Sequence, residues 1–127
     1  MLSDKNVVAV LAQKDMSAAR EFYEKVLGLK VEKETEDGGV AYKSGDSSLF
    51  IYQSSSAGTN QATAAAWNVS DGVEDIAEML KAKGVIMEHY DSIPGVTLQG
   101  DVHVMGTMKA IWFKDPSGNI LNVVSGM

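Results

Sequence analysis

An internal repeat constrains the fold of this chain more than any other feature of its sequence. The segment NVVAVLAQKD begins at Asn6, and a similar segment, ATAAAWNVSD, begins at Ala62. In both copies an aspartate opens a helix-like stretch that ends, after the same interval, at Gly28 or Gly84. Such self-similarity indicates that one supersecondary unit was used twice. We predict repeat one over about 6–53, a linker over 54–61 and repeat two over about 62–125.

Composition narrows the class of protein. The 127 residues suit a single domain, 1–127, in which both repeats share a core. A formal net charge of −6 repels phosphate backbones and anionic lipids, so we expect neither nucleic acid nor membrane as a partner. There is no cysteine, which excludes disulfides and thiolate metal sites. Without a signal-peptide pattern or an apolar run of ~18 residues, we expect a cytoplasmic protein.

The first repeat is predicted to run strand, helix, strand, strand, strand. An apolar run over 7–12 favours a strand buried on both faces, and Asp15 can cap a helix over about 16–27 that ends at Gly28. Strands are predicted over 29–34, 39–43 and 49–52, joined by two hairpin turns. The polar segment 54–60 follows as the linker.

The second repeat is predicted to have the same order. A strand over 63–69 precedes a helix capped by Asp71 and ended by Gly84, and strands follow over 85–89, 108–114 and 120–124. The inward side chains of this helix are predicted to be Val73, Ile76, Met79 and Leu80. Residues 115–119 read as a hairpin turn, because Pro116 presets φ and Gly118 accepts positive φ. The stretch 91–106 is predicted to be irregular, either a lid or an excursion that covers a sheet edge.

These elements predict an α+β protein. Two βαβββ repeats would form a curved mixed sheet, a half-open barrel cup with the helices on the outside. A ligand is expected in the concavity.

Two motifs carry a family resemblance. The first combines Asp15-Met16, Ala18-Ala19, Phe22-Tyr23 and Val26-Leu27-Gly28-Leu29, and the second is Phe113-Lys114-Asp115-Pro116-Ser117-Gly118-Asn119. Together they resemble the vicinal oxygen chelate superfamily, which includes glyoxalase I, bleomycin resistance proteins, fosfomycin resistance enzymes and extradiol dioxygenases. The resemblance covers residues 7–124 and implies the cup-shaped fold and a homodimer. It implies less about activity, because one scaffold hosts many chemistries.

The same resemblance locates the positions of metal ligands. In the metal-dependent members, ligands project into the cup from the first and last strands of each half. Motif register carries these positions to Val8, Phe50, Ala64 and Asn122, and a slip at Phe50 would substitute Leu49 or Ile51. None of these is His, Asp or Glu, which a divalent ion would require. We therefore expect no metal ligand and no cofactor.

Strand alternation extends these four positions to a candidate binding wall. Trp67 has the opposite parity and is expected under the helices, whereas Trp112 is favoured slightly over Phe113 for the cup. The wall is apolar with a few amides and one phenol, which suits a flat organic molecule. The predicted ligand-binding residues are Val8, Val10, Phe50, Tyr52, Ala64, Ala66, Asn68, Trp112, Asn122 and His103.

The two histidines are the only imidazoles. A site that uses His103 with Asp101 or Glu88 is conceivable, but solvent-exposed histidine at a loop or strand end is the more ordinary outcome, for His89 as for His103. No catalytic role is assigned to either histidine.

Two functions of different class follow. The first is a metal-free protein that sequesters a small organic molecule. The second is a glyoxalase-like metal-dependent lyase or isomerase, or a dioxygenase, that works through displaced ligands or ligands shared across a dimer. A pocket closed by side chains is a third possibility. Neither a nucleotide-binding nor a serine-hydrolase motif is present, and whether the chain is an enzyme stays open at this point.

Overall fold

The computed structural model describes residues 1–127 as two compact units. The first unit comprises Met1–Asn60 and Pro116–Asn119, and the second comprises Gln61–Asp115 and Ile120–Met127. The predicted α+β class with two βαβββ repeats is confirmed, since two helices and ten strands form two mixed sheets, one in each unit. The cup expected of the two repeats stays a prediction. Neither helix has the length and apolar character required to cross a bilayer.

The first unit has the predicted element order. Its elements are β1 (Ala9–Gln13), α1 (Met16–Glu21), a π-helical continuation (Phe22–Val26), β2 (Lys30–Glu34), β3 (Val40–Ser44) and β4 (Ser47–Gln53). The strands are ordered β1-β4-β3-β2, with β1 parallel to β4 and the other pairs antiparallel. This arrangement places β1 and the last strand of the repeat side by side.

The helix of the first unit begins as the sequence predicts. The carboxylate of Asp15 accepts a hydrogen bond from the backbone N–H of Ala18 at 3.1 Å, which satisfies a donor of the first turn. After Glu21 the helix widens into the π-helical turn and ends before Gly28, which has a φ of 74°. Its buried side chains are Ala19, Phe22 and Tyr23.

Strand β1 is shorter and less buried than predicted. It begins at Ala9, so Val8 precedes it, and only Leu11 and Gln13 are buried within it. Val10, between these two, is 57 % exposed. The prediction of burial on both faces was wrong, because α1 covers only one side of this sheet and an apolar run does not reveal how many faces are covered.

The second unit has an enlarged version of the same order. Its elements are β5 (Thr63–Val69), α2 (Val73–Ala82), β6 (Met87–Glu88), β7 (Thr97–Gln99), β8 (Val102–Met105), β9 (Met108–Lys114) and β10 (Ile120–Ser125). The strands are ordered β5-β10-β9-β8-β7, with β6 also paired to β9 and with β5 parallel to β10. The bounds of β9 are those predicted.

The insertion 91–106 was predicted to be irregular, and that prediction was wrong. The segment contains the antiparallel hairpin of β7 and β8. Strand β8 pairs with β9 at Met108–Ala110, and β6 pairs with β9 at Trp112 and Phe113. Because both strands use the same side of β9, β6 is limited to two residues instead of the predicted 85–89. The hairpin therefore covers a sheet edge, which was one of the two alternatives for this segment.

Helix α2 differs from the prediction at its start and in its buried face. Its N-cap is Gly72, with a φ of 85° and no side-chain capping bond, so the predicted Asp71 cap was wrong. Met79, predicted to point inward, is 60 % exposed. Its buried side chains, Val73, Ala77 and Leu80, follow the i, i+4, i+7 spacing of one helix face, and Met79 lies off that face.

The β9–β10 turn is the predicted hairpin, and its tip, Pro116–Asn119, belongs to the first unit. The hydroxyl of Ser117 accepts a hydrogen bond from the backbone N–H of Lys14 at 2.9 Å, and the amide of Asn119 donates to the carbonyl of Ala12 at 2.7 Å. Gly58, in the predicted linker, packs so closely on this tip that a Cβ there would overlap the carbonyl of Ser117. The turn thus fixes the end of β1.

Candidate functional site

The first sheet presents an aromatic surface on its distal face, the side opposite its helix. Leu11, Leu49 and Ile51 are buried on the helix side, whereas Phe50 and Tyr52 alternate with them along β4. The two rings stack, with centroids 6.4 Å apart and planes inclined by 12°. The distal face of the first sheet is formed by Val10, Ala12, Phe50 and Tyr52.

The strand register brings three of the four first-repeat site predictions together. Val10 lies beside Phe50 across the parallel β1–β4 pair, and Ala12 lies beside Tyr52. Val8 does not join them, because it precedes β1 and has no strand partner. Whether any of these residues contacts a ligand stays a prediction.

A glycine fixes the position of the Phe50 ring. Gly39 is buried immediately before β3, and a Cβ at this position would overlap the Phe50 ring and crowd the hydroxyl of Thr35. Glycine in a strand often marks such a close approach. The outer atoms of the Phe50 ring therefore lie against the backbone of Gly39, next to the β2–β3 turn.

The second sheet has an equivalent distal face. Asn122 on β10 has Ala66 of β5 as its register partner on one side and Trp112 of β9 on the other. His103 of β8 shares this face through its pairing with Ala110. The distal face of the second sheet thus includes the predicted residues Ala66, Asn68, His103, Trp112 and Asn122, together with Ala110 and Val124. Ala64 lies at the register shift of β5 and has no partner in β10, so its place on this face stays a prediction.

The two tryptophans lie on opposite sides of the second sheet. Lys109 forms an ion pair of 2.6 Å with Glu74 of α2, which identifies the odd-numbered residues of β9 as the helix side, and Phe113 is buried there. Trp112 is partly exposed on the distal face, where its indole N–H donates to Thr63 at 3.1 Å. Trp67 pairs with Val123 on the helix side, as its parity predicted.

Asn122 is held by the sheet itself. The side chain is buried, and its Nδ2 donates to the backbone carbonyl of Ile111 at 3.0 Å. At the position where the resemblance implies a ligating carboxylate, this chain therefore has a neutral amide whose nitrogen is engaged in the scaffold.

His103 is a buried structural residue, so the expectation that it would be solvent-exposed was wrong. Its imidazole is 2 % exposed; Nδ1 lies 3.3 Å from the carbonyl of Ala110, and Nε2 lies 2.8 Å from the backbone nitrogen of Tyr90. Since the carbonyl only accepts and the N–H only donates, the proton resides on Nδ1 and Nε2 is the acceptor. Burial lowers the pKa of His103. The ring is neutral, and neither nitrogen is available to a metal.

Three rings meet on this face and form what we call the aromatic corner, composed of Tyr90, His103 and Trp112. Trp112 is perpendicular to both neighbours: its ring lies 4.8 Å from His103 at 86° and 5.6 Å from Tyr90 at 83°. Such edge-to-face contacts are the preferred geometry of aromatic pairs. Tyr90 was missed from the sequence because it follows the short β6, where no periodicity marks its direction.

The other titratable groups nearby are engaged in pairs. Asp101 binds Lys81 at 2.7 Å and His89 at 2.8 Å, and these contacts lower the pKa of the Asp101 carboxyl, Lys81 most strongly. The site imagined for His103 with Asp101 does not form, because the carboxylate bonds to His89 instead. Glu88 pairs with Lys114 at 3.6 Å. Across residues 1–127, no group of three or more His, Asp or Glu side chains could hold a metal ion.

Comparison with known proteins identifies the family. Residues 6–123 match the family model described as the Glyoxalase/Bleomycin resistance protein/Dioxygenase superfamily. The resemblance inferred from the two motifs is therefore confirmed. No match to the sequence is found among curated proteins.

Solved structures with this fold belong to proteins of different functions. Lactoylglutathione lyase from Agrobacterium tumefaciens is 18 % identical with a TM-score of 0.72, covering 99 % of this chain and 96 % of that chain. The fosfomycin resistance protein FosX from Listeria monocytogenes is 17 % identical with a TM-score of 0.75, covering 100 % and 96 %. TnmS3, an antibiotic-binding protein from a Streptomyces species, is 17 % identical with a TM-score of 0.69, covering 97 % and 96 %. At these identities the likeness shows a shared fold alone.

Proposed function

Because this chain belongs to the glyoxalase/bleomycin resistance protein/dioxygenase superfamily, we propose that it is a metal-free binding protein that sequesters a small organic molecule. The molecule is held on the distal face of a sheet, by apolar contact and ring stacking. By family analogy we also propose that the protein acts as a cytoplasmic homodimer. Light scattering would test the oligomeric state.

The observation that carries this proposal is the chemistry at the four positions implied as metal ligands. Phe50 is part of an aromatic stack, Ala64 offers only a methyl group, and the amide of Asn122 donates to Ile111. Val8 lies outside β1 and offers only an apolar side chain. Zinc and other transition-metal ions in proteins are bound mainly by imidazole, carboxylate or thiolate ligands, which replace their hydration shell. These positions supply none.

The same faces offer good contacts for a flat apolar guest. Stacked or edge-to-face aromatic pairs contribute about 0.5–1.5 kcal/mol beyond the area they bury, and the distal faces provide Phe50 and Tyr52 in one unit and Trp112 in the other. Small-molecule sites are typically lined by such side chains with a few polar groups that orient the ligand. The existence of an antibiotic-binding protein with this fold supports the assignment.

Tryptophan fluorescence gives a direct test. We expect aromatic natural products to quench the native protein and to raise its melting temperature, because a ligand that binds only the folded state stabilises it. Trp112→Phe should remove most of the quenching. Trp67→Phe is the matched control, since Trp67 lies on the helix side of the same sheet, and this variant should retain the response.

Metal analysis of the purified protein tests the proposal that binding needs no metal ion. After incubation with zinc, nickel, manganese and iron salts followed by desalting, we expect no near-stoichiometric ion and no change in ligand affinity. A tightly held divalent ion that is required for binding would overturn the proposal. Loss of that ion in His89→Ala would then point to the enzymatic alternative with displaced ligands.

A further inference from the structure

The aromatic corner presents two partly exposed rings at right angles to each other. The rings of Tyr90 and Trp112 are perpendicular, with centroids 5.6 Å apart, and both side chains are partly exposed. His103 is buried behind them and holds Tyr90 through its backbone N–H. The corner therefore combines a buried, hydrogen-bonded imidazole with two partly exposed rings.

A carboxylate lies beside these rings. Glu88 of β6 is the register partner of Trp112, so both side chains project from the distal face as neighbours. The charge of Glu88 also acts on Tyr90, whose pKa is raised first by burial and then by this carboxylate. The ion pair between Glu88 and Lys114 is long, at 3.6 Å, and the Glu88 side chain stays 26 % exposed.

We propose that Glu88 and the aromatic corner bind a small organic cation, such as a quaternary ammonium group. The face of an aromatic ring carries partial negative charge and attracts a cation within about 6 Å of its centroid. A carboxylate adjacent to two such rings adds a direct Coulombic attraction. The inference rests on the proposed function, because the corner lies on the same distal face, and it names the class of ligand.

The surroundings favour a cation over an anion or a neutral guest. The whole chain carries a formal net charge of −6, which draws cations toward its surface. Lys114 is the cation already next to Glu88, at 3.6 Å, and both side chains stay partly exposed. A quaternary ammonium group differs from Lys114 in having no N–H donors and weak hydration, so it loses less solvation when it contacts the ring faces.

A matched pair of ligands isolates the charge. Choline and its uncharged carbon isostere, dimethylbutanol, have nearly the same shape, and each would be titrated into the full-length protein while tryptophan fluorescence is recorded. We expect choline to bind at least about fivefold more tightly, which corresponds to one cation–π contact of moderate strength. Equal affinities for the two compounds would overturn the proposal.

Three variants locate the effect. Glu88→Gln should lower choline affinity by about fivefold and leave the isostere unchanged, whereas Lys114→Gln should raise choline affinity by removing a competing cation. Glu74→Gln is the control, because it makes the same charge change on α2, where Glu74 pairs with Lys109 on the other side of the sheet. A loss of choline affinity in Glu74→Gln equal to that in Glu88→Gln would mean that net charge, and not the corner, attracts the cation.

Failure of this inference is distinguishable from failure of the proposed function. If aromatic natural products quench the fluorescence of Trp112 while choline and its isostere bind with equal affinity, the binding function stands and the cation assignment is wrong. If choline binds through Glu88 while no aromatic compound binds, the corner stands and the proposed sequestration of flat apolar molecules is wrong. Trp112→Phe, whose ring is smaller but still aromatic, should weaken both ligands without unfolding the protein.

Discussion

The backbone N–H of Tyr90 donates a hydrogen bond of 2.8 Å to Nε2 of His103. Through this bond a buried imidazole determines where the chain emerges from β6 and where the Tyr90 ring lies against Trp112. The bond exists only while Nε2 carries no proton, since a protonated nitrogen would meet the N–H of Tyr90 as a second donor. The state of one imidazole is thus coupled to the geometry of the aromatic corner.

The stability of the protein should depend on pH through His103. Burial lowers its folded-state pKa below the ordinary value of 6.5, so as the pH falls through about 6.5 the unfolded chain takes up a proton before the folded chain does. The free energy of unfolding therefore decreases below that pH and stops decreasing once the folded state is protonated. Urea denaturation at pH 7.5 and at lower pH would measure the decrease.

Replacing His103 by glutamine separates the effect of its protonation from the effect of its hydrogen bonds. His103→Gln can accept from Tyr90 and donate to Ala110 without titrating, so most of the pH dependence near neutrality should disappear. His89→Gln, which changes a half-exposed imidazole, should retain it. An unchanged pH dependence in His103→Gln would show that another group is responsible.

The two repeats should respond differently to removal of the aspartate before each helix. Asp15 caps α1 through its bond to the N–H of Ala18, so Asp15→Ala should cost about 1 kcal/mol of unfolding free energy. Asp71 makes no such cap, because Gly72 holds the N-cap position of α2, and Asp71→Ala should change stability by less than about 0.5 kcal/mol. Equal losses on chemical denaturation would contradict the assignment.

A buried phenol should contribute to the stability of the first unit. The hydroxyl of Tyr42 donates to Glu24 at 2.8 Å, and the same carboxylate oxygen accepts from Arg20. Since hydrogen bonds to charged groups contribute about 1.5–3 kcal/mol, Tyr42→Phe should lower the free energy of unfolding by an amount in this range. Tyr52→Phe removes a hydroxyl from an exposed side chain and should leave it nearly unchanged.

Gly58 should tolerate no side chain. Its φ is +70°, and a Cβ would overlap the backbone carbonyl of Ser117, so Gly58→Ala combines a conformational penalty of about 1–2 kcal/mol with a clash against backbone. Gly45→Ala is the matched control, because Gly45 also has positive φ but no atom within 4 Å of its Cβ position. We expect the melting temperature to fall clearly further for Gly58→Ala. Similar melting temperatures would mean that the turn at Ser117 adjusts freely.

Local patterns were sufficient to predict much of the fold. The Asp15 cap, the end of the first helix before Gly28 and the bounds of β9 follow from capping chemistry and turn residues, which act within a few positions along the chain. The same reasoning failed at Asp71 because two candidates for the cap, Asp71 and Gly72, stand side by side. Capping propensity ranks aspartate above glycine and so selected Asp71, whereas the N-cap is Gly72, whose backbone has positive φ.

The sequence predicted on which face of its sheet each site residue lies, but not which partners its side chain contacts. Period-two alternation placed Phe50 with Tyr52 and separated Trp112 from Trp67, and the structure has these residues on the sides expected. It could not reveal that His103 would be buried with both nitrogens bonded, since one of its partners, Tyr90, lies outside any regular strand. Nor could it reveal that Asp101 would bond to His89.

The sequence alone determined the duplicated order of elements, the α+β class and the absence of charged groups at the four implied ligand positions, because these depend on residue type, short-range periodicity and a repeated motif. Tertiary structure decided which side of β1 is covered, how far β6 extends beside β8, and that Tyr90, His103 and Trp112 form a corner. Those outcomes depend on competition between distant segments for the same strand edge or the same buried volume, and no local pattern records which segment wins.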